Sequence, residues 1–143
     1  MDDLWGRLRV RVVPLLAAGV TVAAGLGVRA GLGGDVAKYA GDALYTVLVY
    51  ALVVLVAPRV RPGRAAVVAA GLSWAVELFQ ITGVPDELGR RSGLARLVLG
   101  STFNPPDLFW YLVGAVFPAL VHRVLRTAKA ARAARRTAAP GVV

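Results

Sequence analysis

The sequence predicts an all-α integral membrane bundle of four transmembrane helices, with a re-entrant or interfacial segment before the last. Three observations carry this expectation. The chain is 57% hydrophobic and only 17% charged, and its apolar residues arrive in long blocks, not at the 3.6-residue spacing of a soluble amphipathic helix. A crossing takes about 20 residues, so 143 residues hold four crossings, short connections and a tail. The basic residues fall mostly between the blocks.

The first span is expected from Val12 to Val28, uncharged and preceded by Arg7, Arg9 and Arg11. Pro14 would lie in its first turn, where proline is tolerated. A signal peptide cleaved near Val28-Arg29-Ala30 is the alternative, but the apolar run is long for one and Asp2 and Asp3 do not suit a positive leader. The second span runs from Ala40 to Ala57, and the tight basic connection with Pro58, Arg59, Arg61 and Arg64 makes the third, Ala65 to Gly83, an antiparallel neighbour. That third span carries Glu77 and Gln80 within an apolar helix.

The segment from Val84 to Pro106 is too long for a simple connection. Its apolar stretch Leu94 to Leu99 is interrupted by Arg96, which predicts a short segment folded back on the bundle rather than a fifth crossing. The fourth span opens at Asn104-Pro105-Pro106-Asp107, read as an N-cap, prolines in the first turn and an acid at the positive helix end, and continues to His122. Residues 1–122 thus form the membrane domain. Residues 123–143 form a basic tail expected to be partly disordered. Its cations recur at 123, 126, 129, 132 and 135, a step that turns about 60° around a helix each time, so the charge wraps the tail and suits anionic lipid headgroups.

Lys and Arg counts orient the chain. The two ends and the connection at 59–64 hold twelve, the other two connections five, which predicts both termini in the cytoplasm. The same bias explains the net charge of +9 without a nucleic-acid partner, which would need a basic patch on a soluble domain. With no cysteine thiolate chemistry is excluded, and the single histidine, His122, sits beside the basic tail, which argues against a histidine metal cluster or a catalytic dyad within one chain. No cofactor or metal is expected, although a carboxylate site from Asp42, Glu77 and Asp107 is geometrically open. Self-association stays open as well.

With this orientation every conspicuous polar group within the spans falls in the outer half. Ser73, Glu77 and Gln80 share a helix face, as do Asp42, Tyr45 and Thr46, and Asp107, Tyr111 and Gly114. A carboxylate at the depth of Glu77 would cost several kcal/mol facing lipid, so it must face the bundle, bind a proton or pair, with Arg90, Arg91 and Arg96 the nearby cations. Either these groups fix the bundle through ion pairs and hydrogen bonds, or they line a polar pocket. Gly19, Gly25 and Gly27 could permit close helix contact. Trp5 and Trp110 suit an interfacial belt, while Trp74 is expected to pack.

Gly41-Asp42-Ala43-Leu44-Tyr45, Glu77-Leu78-Phe79-Gln80, Leu99-Gly100-Ser101-Thr102-Phe103, Asp107-Leu108, Tyr111 and Gly114 resemble, in that order, a bacterial membrane family known as domain of unknown function 2809. The likeness covers roughly residues 10 to 122. A looser likeness runs to the VanZ-like family, which implies an envelope role linked to glycopeptide susceptibility. The chain lacks that family's histidine after the first Asp and its Asn between the last Asp and the glycine. The resemblance selects Asp42, Tyr45, Glu77, Gln80, Asp107, Tyr111 and Gly114, to which the charge argument adds Arg96. The expected function is a pocket for a lipid-like or envelope-precursor ligand. The alternative is a membrane-embedded enzyme acting on a lipid headgroup or lipid-linked glycan, with Glu77 or Asp107 as acid or base.

Overall fold

A computed structural model describes residues 2–138, with side chains from 10 to 137. Those residues form six helices and no strand: α1 (Asp2–Gly31), α2 (Gly34–Val56), α3 (Pro62–Gln80), α4 (Val84–Arg91), α5 (Gly93–Leu99) and α6 (Asp107–Ala138). Three contain stretches long and apolar enough to cross a membrane, Val10–Gly31, Gly34–Val56 and Asp107–Thr137. The fourth candidate is the pair α3 and α4, bent by 88° at residues 81–83. The bend follows from composition. Helix α3 is apolar and its 19 residues reach about 28 Å, close to the ~30 Å hydrocarbon thickness, whereas α4 carries Asp86, Glu87, Arg90 and Arg91 in eight residues.

Several boundaries differ from the sequence expectation. Helix α1 begins at Asp2, which puts Pro14 inside it rather than in its first turn. Helix α2 begins at Gly34, so Lys38 belongs to a helix and not to a connection. Pro105 and Pro106 form a turn ahead of α6, and the Asp107 N–H donates to the Asn104 carbonyl at 2.9 Å. Helix α6 then runs unbroken to Ala138, where the sequence alone suggested a partly disordered tail. Its start on the far side of His122 is tied down by Arg126, which donates to the Val60 carbonyl. Residues 139–143 and the Trp5 side chain lie outside what is described.

Helix α2 is central. It packs against α1, α3 and α6, α3 also packs against α6, and among the described residues the backbone of α1 approaches no helix but α2. The close approach is not where Gly19, Gly25 and Gly27 suggested, since a Cβ at any of these meets nothing within 4 Å. It is at Gly114, where a Cβ would collide with the Ala43 carbonyl of α2. Small residues let backbones approach and maximise packing contact where lipid offers no hydrophobic incentive.

The buried stripe of α3 is Ala65, Ala69, Ser73, Glu77 and Gln80, spaced to share one helix face. It changes from methyl to hydroxyl to carboxylate along its length. At the Ala65 end it packs with Tyr50, Val53 and Ala119, and Tyr50 is hydrogen-bonded to His122 at 2.9 Å. At mid-length Thr46 donates to Ser73 at 2.9 Å, both fully buried. Large apolar side chains such as Leu16, Val67, Leu72, Phe117 and Leu120 face outward. Polar groups inside and apolar groups outside is the reverse of a water-soluble helix bundle. It is stable where the solvent is hydrocarbon, because each polar group must then find a protein partner.

Candidate functional site

The polar end of that stripe meets the start of α6, the first half of α2 and the segment 96–107. Glu77 is 1% exposed, yet no cation pairs with it among the described residues. Its two oxygens are held separately: Oε1 accepts from the Asn104 backbone N–H at 2.6 Å and Oε2 from the Tyr111 hydroxyl at 2.8 Å. Arg90 and Arg91 instead pair with Asp86 and Glu87 on their own helix. Of the three outcomes open to a deep carboxylate, this one faces the bundle and takes hydrogen bonds from a loop and a neighbouring helix.

A second cluster lies beside it. Lys38 reaches from α2 to Asp107 at the start of α6, in an ion pair that is also a hydrogen bond, and lies 3.5 Å from Asp42 one turn along its own helix. Asp107 is 3% exposed and its other oxygen accepts from the Asn104 side-chain amide. Asn104 therefore joins the clusters, its backbone serving Glu77 and its side chain serving Asp107. Lys38 takes the position between Asp42 and Asp107 that a cation shared by these carboxylates would need. The described residues hold no group of three or more metal-ligating side chains.

Gln80 sits one turn beyond Glu77 and donates to the Leu99 carbonyl at 2.7 Å. This places the end of α5 against α3. Gly100 makes the contact feasible, because a Cβ there would run into the Gln80 amide nitrogen and its φ of 66° suits glycine. The segment read as folding back does so through this bond and through Asn104 to Glu77. Tyr45 stands tilted against Tyr111, ring centroids 6.3 Å apart. Tyr39 stacks on Trp110 at 5.6 Å, and Trp74 donates to the Leu108 carbonyl at 3.0 Å.

Both clusters, with Tyr45, Gln80, Leu99 and Gly100, contribute to the lining of a cavity of about 660 Å³. Its polar wall holds Asp42, Tyr45, Glu77, Gln80, Asp107 and Tyr111, and Arg96 lines it without an ion pair among the described residues. Its apolar wall comes from Val22, Leu26, Leu44, Leu48, Val76 and Leu97. Of the eight residues singled out from sequence, all but Gly114 line this one space. Sequence reading missed Lys38, Asn104 and Arg29, the last also on the wall. The i,i+4 spacing of Lys38 and Asp42 was the available signal for the first. For the other two there was none, since a backbone donor and a helix-end arginine carry no distinctive spacing.

Neither the curated proteins nor the solved structures yielded a match to this chain. A family profile described as "Protein of unknown function (DUF2809)" matches residues 33–115, a stretch that contains the three polar stripes and the folded-back segment. That stretch is more than half of the chain, and the protein therefore belongs to the DUF2809 family.

Proposed function

We propose that this protein binds an amphiphile, a membrane lipid or a lipid-linked envelope precursor, in the cavity beside Glu77. The observation that carries the reading is the composition of that space. Its volume lies within the roughly 300–1,000 Å³ typical of small-ligand sites, and its lining is divided between hydrogen-bonding groups from α2, α3 and α6 and apolar side chains from α1, α2, α3 and α5. An amphiphile matches such a division. Glu77 and Asp107, the carboxylates favoured for acid–base work, have their oxygens engaged within the protein, which supports a binder over a membrane-embedded enzyme.

The glycines on the wall allow a direct test. A Cβ at Gly41 meets nothing within 4 Å, so Gly41→Phe adds a ring to a cavity-lining position without a backbone clash. The purified wild-type protein is expected to carry one lipid by native mass spectrometry. Gly41→Phe should lower that occupancy about tenfold at an unchanged thermal midpoint. A wild-type protein that retains no lipid from cell extracts, or a filled variant that retains as much, would refute the reading.

In this proposal the protein crosses a bacterial cytoplasmic membrane with both ends inside, and the cavity opens in the outer leaflet. The asymmetry of basic residues supports that orientation. Because the chain has no cysteine, a single introduced thiol reports its own side. An impermeant maleimide should label Leu32→Cys in intact cells and Ala130→Cys only after permeabilisation. The opposite pattern would invert the orientation.

A further inference from the structure

The groups at the Glu77 end of the bundle divide into those the protein satisfies and those it leaves open. Among the basic residues, Lys38, Arg90 and Arg91 have acidic partners. Arg29 and Arg96 have none among the described residues, and both line the cavity. Among the acceptors, Glu77 and Asp107 are engaged on both oxygens. Gln80 Oε1 is shielded from solvent and accepts no hydrogen bond, and Asp42 Oδ2, 3.5 Å from Lys38 in an ion pair, accepts none either; both residues line the same cavity. Gln80 is 8% exposed, and its amide is held by Leu99 and closed off on one side by Gly100. Its free oxygen is therefore fixed in place.

What is left open is the negative image of a ligand. We infer that the polar end of the cavity recognises a phosphate ester that also carries hydrogen-bond donors, hydroxyl or ammonium. Such chemistry is found in the headgroup of a glycerophospholipid and in a free polyol phosphate. Two guanidinium groups from separate helices suit a tetrahedral phosphate, whose oxygens point to several sides, better than a planar carboxylate. Both arginines are exposed and stand at the rim, whereas Gln80 is buried and Asp42 half-buried. The anion thus sits at the rim and the donors reach inward, to acceptors that would repel a second anion. Among the described residues the backbones of α1 and α5 do not come within 8 Å of each other, although both border the cavity. In this inference acyl chains leave for the bilayer between these two helices.

This inference rests on the amphiphile reading, and one experiment separates the two. The full chain in nonionic detergent is titrated, with native mass spectrometry as the readout, against phosphatidylethanolamine, phosphatidylglycerol and diacylglycerol of identical chains. Glycerol 3-phosphate is then added as a competitor. The wild type and an Arg29→Gln/Arg96→Gln variant are compared. Among the described residues neither guanidinium has an ion-pair partner, so the variant should keep its thermal midpoint, and the tail cations are the same in both proteins.

The expected result is one bound phospholipid, preferred over diacylglycerol at least about tenfold, with the preference lost in the variant. Displacement by glycerol 3-phosphate at concentrations similar to those of the lipid would support the phosphate ester and identify a soluble source. Its failure to displace would support the lipid source. Diacylglycerol binding as tightly as the phospholipids, with no effect of the two substitutions, would overturn the inference and leave the amphiphile reading standing. No saturable binding of any of the three lipids would overturn both.

Discussion

Glu77→Leu is expected to destabilise the bundle by about 2–6 kcal/mol, because it leaves two buried donors without an acceptor at ~1–3 kcal/mol each. The Asn104 N–H and the Tyr111 hydroxyl both point at this carboxylate. The Asn104 N–H is fixed by its backbone, so its loss is the less recoverable one. Glu77→Gln should be far milder, under about 2 kcal/mol, since the amide oxygen can still accept from Asn104 and the amide nitrogen can donate to the tyrosine oxygen once that hydroxyl rotates. An ion-pair role for Glu77 would give a different ranking, with Gln stranding a cation and costing about as much as Leu. Denaturation of the three proteins in one detergent measures the ranking. Equal losses for Gln and Leu would restore the ion pair, and no loss for Leu would remove Glu77 from the architecture.

Lys38→Met should also cost several kcal/mol, for an electrostatic reason. It removes the cation between Asp42 and Asp107 and leaves Asp107, 3% exposed, as a buried carboxylate facing another. Breaking a buried pair by removing one partner costs about 3–5 kcal/mol. The Lys38 side chain is 41% exposed, so solvent screening lowers the expectation to roughly 2–4 kcal/mol. Adding Asp107→Asn to Lys38→Met removes the stranded charge while keeping an acceptor for Asn104, and should recover half or more of the loss. A double-mutant cycle in which the two losses simply add would show that the pair is not coupled.

The two substitutions probe different layers of one junction, and Asn104 links them. Its position shows why the site was only partly legible in the sequence. Glu77 stood out because a carboxylate in an apolar helix is costly wherever it points. Asp42, Tyr45, Gln80, Asp107 and Tyr111 followed from helical spacing and a common depth. Asn104 looked like a helix cap, an assignment that local spacing favours. Its N–H turns instead toward a residue 27 positions earlier, because the chain between them folds back through α4 and α5. Lys38 was assigned to a connection because hydropathy locates a span only to within a turn or two, and the helix begins earlier than its apolar core.

The sequence by itself determined the class of this protein, its helical content and the shared depth of its polar groups. Those properties depend on how much apolar length each segment has and on the 3.6-residue turn, both of which are local. The tertiary structure alone decided which partners the buried groups take. Glu77 receives two neutral donors instead of an arginine, Lys38 is shared between two carboxylates, and Arg29 and Arg96 are left facing a cavity. Partner choice depends on how each helix is rotated about its axis and how closely it approaches its neighbours. Those are settled by packing at positions such as Gly114 against Ala43, where the steric fit between two distant parts of the chain is something neither segment encodes alone.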